Sequence, residues 1–351
     1  MRMLIIGGSG FIGPHVVRAL TGAGHEVFVF HRGTRRSNPA DPAGEGASAP
    51  QVVEIFGDRQ RLSDHSVALR RLVPDVIIDL VLSSGRQARE LMSAFRGTAT
   101  RVVALSSCDV YRACGITHRL EEGPLEPLPL TESSSLRSKL MTYPPAQLEM
   151  LRQVFGWLDE EYDKIPVERE ILGDSELPGT VLRLPMVYGP GDPLHRFLPV
   201  VKRIEDGRRS ILLSADMAGW RATKGYVEDV GRAVALAAEA PAAAGRIYNV
   251  GEADALTELE WARAIARAMH WGGDVIVRPD AGLPPFLRAP GNTAQHWVTD
   301  TSRIRRELGF SESVTREAAV ARTVEWERRH PPAGFTPHQF DYAAEDAAAG
   351  S

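Results

Sequence analysis

The chain is poor in cysteine: Cys108 and Cys114 are the only two among 351 residues. That scarcity argues against a disulfide-built fold and fits a reducing compartment, so a cytoplasmic location is expected. No apolar run approaches the length that a membrane span requires. The first residues also lack a basic segment followed by an apolar core and a cleavage site, so neither a membrane partner nor export is expected. Surplus positive charge is missing as well, since 41 Lys and Arg stand against 45 Asp and Glu for a formal net charge of −4. A nucleic-acid partner would need clustered surplus cations, and pairs such as Arg35-Arg36 and Arg305-Arg306 read as solvated surface. The ten histidines include none paired with Cys or carboxylates at metal-ligand spacing, so no metal is expected.

What is present looks globular. Hydrophobic residues make up 43% and charged residues 25%, and the length suits one large α/β domain or a nucleotide domain with a second lobe. The opening stretch MRMLIIGGSGFIG runs from a short apolar strand into Gly7, Gly10 and Gly13 and then into a helix-like segment. Strand, glycine turn and helix in that order are the setting in which a glycine pattern signals dinucleotide binding. The first glycine permits the tight turn, the second lets the backbone approach a pyrophosphate, and the third lets helix and strand pack closely. The pyrophosphate would then lie at the positive end of the helix.

A second strand is expected at residues 26–30 (EVFVF), ending in His31-Arg32-Gly33 where such folds read the ribose. An acid there would bind the 2′-hydroxyl of NAD, and an arginine accommodates the 2′-phosphate of NADP. No acid is present, which favours NADP through Arg32 with Arg35 or Arg36 as helpers; NAD stays open, with Arg32 stacked on the adenine. Residues 37–50 read as a surface loop. A third strand, residues 52–56, leads to Gly57-Asp58-Arg59, and Asp58 is either an adenine contact or the N-cap of the next helix. Residues 75–82 (DVIIDLVL) form the near-continuous apolar run of a parallel strand buried on both faces. A helix at 86–95 and a strand at 101–105 continue the alternation. The fold class predicted is α/β, a Rossmann-type doubly wound parallel sheet. Ligands of such sheets bind beyond the carboxyl ends of the strands, where Ser106, Ser107 and the Asp109-Val110-Tyr111 run stand.

The sequence resembles the extended short-chain dehydrogenase/reductase superfamily of the NAD-dependent epimerase/dehydratase kind. The matching stretches are GGSGFIG at 7–13, GD at 57–58, LSSCDVY at 105–111, LRLPMVYGPGDP at 182–193, GYVEDV at 225–230 and YNVG at 248–251. By that resemblance Gly7, Gly10, Phe11, Ile12 and Gly13 hold the pyrophosphate, Asp58 with neighbouring Arg59 the adenosine end, and Leu80, Val81 and Ser106 line the cofactor. Pro185 and Val187 flank the nicotinamide, Ser107 hydrogen-bonds the reacting oxygen, and Tyr188 opens the substrate-side loop.

The family's catalytic tyrosine and lysine lie four residues apart on one helix, and this chain departs from the pattern. Lys164 stands in EEYDKIPVERE, but the nearest tyrosine is Tyr162 and the usual tyrosine position holds Glu160. Residues four apart on a helix lie about 40° apart around the axis, residues two apart roughly 200°. Tyr162 and Lys164 therefore cannot share a face of a regular helix. Either the helix starts late or bulges so that Tyr162 still serves, or Lys164 holds the ribose while Glu160, Tyr143 or the lysine itself moves protons, or hydride chemistry has been lost. The expected function is oxidation, reduction, epimerisation or dehydration at a hydroxyl or carbonyl carbon of a small molecule, such as a sugar nucleotide or secondary metabolite. The alternative is a nucleotide-sensing or scaffold protein without turnover.

Residues 112–147 are Pro-rich and irregular, and are expected to form a lid over the substrate. Residues 147–172 read as one helix whose apolar stripe, Leu148, Leu151, Val154, Phe155 and Leu158, suggests core or a homodimer interface. His195, Arg196, Arg221 and His296 are candidate substrate contacts. The division expected is a Rossmann domain over 1–180, a substrate lobe mainly over 181–330, and a fraying tail over 331–351.

Overall fold

The computed structural model describes residues 1–33, 52–141, 143–334 and 337–350; the sequence-predicted loop at 37–50 and the helper arginines Arg35 and Arg36 lie outside the described residues. Among the described residues eleven strands occur in chain order: β1 (Arg2–Ile6), β2 (Glu26–His31), β3 (Val52–Phe56), β4 (Val76–Asp79), β5 (Arg101–Ser107), β6 (Gly179–Leu184), β7 (Met186–Tyr188), β8 (Ser210–Ser214), β9 (Lys224–Tyr226), β10 (Ile247–Asn249) and β11 (Asp274–Arg278). Seven of them form one parallel sheet in the order β10-β6-β5-β4-β1-β2-β3. The reversal of strand order falls between β1 and β4, so the cleft beyond their carboxyl ends is where a ligand of this fold sits.

The apolar run of β1 is explained by its two faces. Met3 and Ile5 join one core cluster with Val27 and Val29, while Leu4 and Ile6 join the other with Phe28 and Phe30. Alternate side chains point to opposite faces, and helices cover both, so the four buried residues Met3 to Ile6 are all apolar and the one polar residue, Arg2, stands at the strand's start. Helix α1 (Gly13–Gly22) packs with the helix Val227–Glu239, and α2 (Leu62–Arg70) packs on α3 (Gly85–Phe95). The short pairs β7–β9 and β8–β11, both parallel, belong to the C-terminal part of the chain.

Three expectations are corrected here. The stretch 112–147, expected as an irregular loop, is partly regular among its described residues: it begins with α4 (Arg112–Thr117), and Leu130 and Arg137 are buried. Its backbone bonds Arg112 to Ser135, Arg137 to Val110 and Leu130 to Val298, which stitches it to the C-terminal part of the chain. The single helix expected over 147–172 is two, α5 (Pro145–Val154) and α6 (Lys164–Leu172), separated around Gly156. Among the described residues of the tail expected to fray, the helix Tyr342–Gly350 docks through Glu345, whose carboxylate accepts from both Nε (3.0 Å) and Nη2 of buried Arg203.

Candidate active site

The glycine turn lines a cleft of about 430 Å³ at the carboxyl ends of β1, β2 and β4. Gly7 has φ +87°, and a Cβ added there would lie 2.5 Å from Val81 Cγ1. A Cβ on Gly13 would lie 2.3 Å from the carbonyl oxygen of Gly8. No L side chain fits that approach, so Gly13→Ala is expected to spread the turn and weaken dinucleotide binding by at least about tenfold, read by cofactor titration. The N-cap of α1 is Ile12, which offers no side-chain acceptor; Pro14 has no N–H and His15 N donates to the Ile12 carbonyl at 3.1 Å, so the Gly13 N–H at the helix start is left for an anion. These features fit the pyrophosphate of a dinucleotide.

The cleft walls qualify other expected contacts. Arg32 borders the cleft and donates to the Gly156 carbonyl at 3.0 Å. Asp58 caps the next turn, accepting from Gln60 N at 2.9 Å, while also lining the cleft. Arg59 borders the cleft too, but its guanidinium is committed elsewhere. It donates to buried Asp79 at 2.8 Å and to the Gln87 carbonyl at 2.8 Å, so Arg59 braces the cleft floor. The other oxygen of Asp79 accepts from Val81 N at 3.0 Å and sets the turn that carries Leu80 and Val81 into the cleft.

A second cavity of about 240 Å³ adjoins the cleft, sharing Phe11, Ile12, Leu80, Phe155, Trp157 and Pro193 with it. Ser106, Ser107, Asp109, Tyr143, Tyr162 and Lys164 meet at its polar end. Ser107 closes β5 and its Oγ accepts from Asp109 N at 3.2 Å, which leaves its proton free to donate outward. Ser106 points to the structural side: its Oγ donates to Glu168 Oε1 at 2.6 Å, within a buried pair of Glu168 and Arg183.

Lys164 resolves the spacing problem. It is the first residue of α6, and Asp163, in extended backbone with φ −160°, caps the helix by accepting from Ile165 N at 2.8 Å. Tyr162 thus precedes the helix, and the angular argument against it does not apply. Both side chains reach the cavity, the ammonium lying 5.7 Å from the Tyr162 ring centroid. Lys164 Nζ donates to the carbonyls of Leu82 and, at 3.1 Å, Leu105. Burial disfavours its charge and brings its pKa down to about 8. The sequence did carry a signal: Asp163 followed by Pro166 is a cap with proline in the first turn, where a missing N–H costs nothing.

Asp109, which stands in the run beyond β5 that the sequence marks as ligand-facing but to which it assigns no role, belongs to the site. It is 2% exposed, and its Oδ2 accepts from Tyr162 Oη at 3.1 Å and Tyr143 Oη at 3.3 Å. Its Oδ1 is buried without a partner. Burial holds this carboxyl above the usual carboxylate range, and burial beside it pushes both tyrosines up.

Several expected site residues lie elsewhere. Glu160 is largely exposed, with an ion pair to Arg152 at 3.5 Å, and does not line the cavity. Tyr188 is in the core, its hydroxyl donating to Glu252 at 2.7 Å. His195, at φ +47°, turns onto Glu327 at 2.7 Å and stacks on Trp326. Arg221 is exposed, with its backbone N on His296 Nδ1 at 3.3 Å, and neither residue lines the cavity. Arg196, Pro185 and Val187 do line it. The helical stripe faces ligand space rather than core: Leu151, Phe155 and Leu158 line the cavity and Val154 the cleft.

A model of the NAD dependent epimerase/dehydratase family matches residues 3–143 and 158–251. The chain belongs to that family. Among its relatives, a dTDP-glucose 4,6-dehydratase of Streptomyces griseus is 25% identical over 96% of this chain and 99% of that enzyme. In fold this epimerase/dehydratase family member is similar to DesIV, a dTDP-glucose 4,6-dehydratase from Streptomyces venezuelae solved with NAD, at TM-score 0.61 and 23% identity, covering 94% of this chain and 97% of that one. The dTDP-glucose 4,6-dehydratase from Bacillus anthracis in complex with NAD gives TM-score 0.63 at 17% identity, with 94% and 97% covered. The expected family and Rossmann-type fold are therefore borne out. The family match breaks off over 144–157, where α5 and the Phe155 and Trp157 wall stand.

Proposed function

We propose that the chain is an NADP-dependent oxidoreductase or epimerase/dehydratase acting at a hydroxyl or carbonyl carbon of a small molecule. The observation that carries the reading is the meeting of Ser107, Tyr162 and Lys164 in one cavity next to the dinucleotide cleft, despite their irregular spacing. The glycine turn would hold the pyrophosphate, Asp58 the adenine, Arg32 the 2′-phosphate and Lys164 the ribose, with Pro185 and Val187 beside the nicotinamide. A bound nicotinamide supplies hydride acceptance or donation at the reacting carbon. Ser107 donates to the reacting oxygen and Tyr162 carries its proton. Asp109, bonded to the Tyr162 hydroxyl, is placed to receive that proton in oxidation and to return it in reduction.

Identification of the cofactor retained by purified protein, followed by absorbance at the reduced-nicotinamide band with candidate substrates, tests the reading. Arg32→Ala is expected to weaken NADPH binding about tenfold or more and leave NADH binding unchanged. Preference for NAD that Arg32→Ala does not alter would overturn the phosphate-binding role.

A further inference from the structure

The charge around the second cavity limits what can enter it. Arg196 is the one arginine among its described lining residues, and its Nη1 donates to Asp192 Oδ1 at 2.6 Å and to the Val187 carbonyl at 2.8 Å. Asp192 is 1% exposed, so a buried carboxylate already neutralises the Arg196 charge. The other cation, Lys164, gives two of its three N–H groups to backbone carbonyls, and the proposed ribose contact takes the third. Among the described lining residues, neither cation is left wholly to an anionic substrate group, and the Asp109 carboxyl stands at the polar end. A pyrophosphate there would compete with Asp192 for Arg196 and would be desolvated beside a carboxyl.

The remaining walls are apolar. Leu151, Phe155 and Leu158 come from α5 and the segment after it, and Leu194 faces in from the loop after β7. Part of this wall lies in the stretch where the family match is interrupted. Arg221 and His296, the outlying basic candidates, connect to the cavity through Trp297, His118 and Tyr143, whose rings touch in series at 5.7 and 5.9 Å. The partnerless Oδ1 of Asp109, buried at the cavity's polar end, calls for a donor on the substrate.

Building on the proposed oxidoreductase reading, we propose that the substrate is a neutral alcohol or ketone with an apolar ring or chain as its body and a second hydroxyl beside the reacting carbon, rather than a nucleoside-diphosphate sugar. The reacting oxygen meets Ser107 and Tyr162, the second hydroxyl donates to Asp109, and the body packs on Leu151, Phe155, Leu158 and Leu194.

Calorimetry on the cofactor-loaded protein tests this with 2-hydroxy-1-tetralone, UDP-glucose and dTDP-glucose as probes. The hydroxyketone is expected to bind saturably and at least about tenfold tighter than either sugar nucleotide. Leu194→Asp, at a position already 38% exposed, should weaken the hydroxyketone about tenfold or more while cofactor affinity stays unchanged. Tighter binding of a sugar nucleotide, no saturable hydroxyketone binding, or an unaffected Leu194→Asp variant would each overturn the substrate class. A protein that binds neither NAD nor NADP would overturn the oxidoreductase reading itself.

Discussion

Replacing Lys164 with methionine is expected to lower kcat by on the order of a thousandfold, within the range removed with a positioned acid–base group. Methionine keeps most of the side chain's volume and removes the ammonium. In the native protein that ammonium is buried, bonded to the Leu82 and Leu105 carbonyls and close to the Tyr162 ring. Because burial brings its pKa to about 8, the charge is present at neutral pH and is lost as pH rises past about 8. If the ammonium form is the working one, kcat/KM falls above that pH, and the falling limb is absent from Lys164→Met. A rate that climbs through the same range would instead make the neutral lysine the base.

A second readout needs no substrate. The folded-state value lies below the ordinary 10.5, so between about 8 and 10.5 the unfolded chain binds the extra proton. This lysine therefore makes stability rise with pH over that window and lowers it below. The slope contributed by this group should vanish in Lys164→Met, measured by urea unfolding at a series of pH values.

The largest stability loss is expected from Glu168→Ala, about 3–5 kcal/mol, because one partner of a buried ion pair is removed and the other left stranded. Glu168 and Arg183 are each 3% exposed, and the guanidinium makes two bonds to the carboxylate, Nε at 2.9 Å and Nη2 at 2.6 Å. Arg183 would retain only the Glu132 carbonyl at 3.0 Å and the Tyr111 ring at 4.8 Å. Ser106 would lose its acceptor in the residue next to Ser107, so the β5 end should loosen as well. Denaturant melting measures the loss. A double replacement, Glu168→Met with Arg183→Leu, should recover part of it, since no unpaired charge then remains. A loss under about 1 kcal/mol in the single variant would show that solvent reaches the pair.

The sheet was legible in the sequence because its code is short-range. A strand buried on both faces needs a continuous apolar run, and a dinucleotide turn needs glycines where backbone meets backbone; both can be read within a dozen residues. The cofactor side of the site followed from that. The catalytic side did not, because it depends on where a helix begins and on contacts across many residues. A regular helix over both residues would set Tyr162 and Lys164 on opposite faces, so a late helix start had to stay one alternative beside Glu160; Asp163 caps a separate helix and frees Tyr162 from helical geometry. Asp109 could be placed beyond its strand but given no role, for a similar reason. Its meaning rests on Tyr143 and Tyr162, which chain folding brings to it from 34 and 53 residues away. Arg59 shows the opposite limit: it borders the cleft as its position suggested, but Asp79 and Gln87 claim its Nε and Nη2, which the sequence does not reveal.

The docked C-terminal helix also bears on how the chain is made. Glu345 stands 142 residues after Arg203, its buried partner, so Arg203 leaves the ribosome long before it. Until the helix Tyr342–Gly350 follows, Arg203 has no carboxylate to enter the interior with, and the apolar surface around Leu212 and Leu283 lacks the Ala348 that completes it. The nucleotide-binding half can close as soon as its own strands are out, whereas this corner must wait for that helix. A nascent chain stalled ahead of the helix would show a protease-sensitive patch there that further elongation removes.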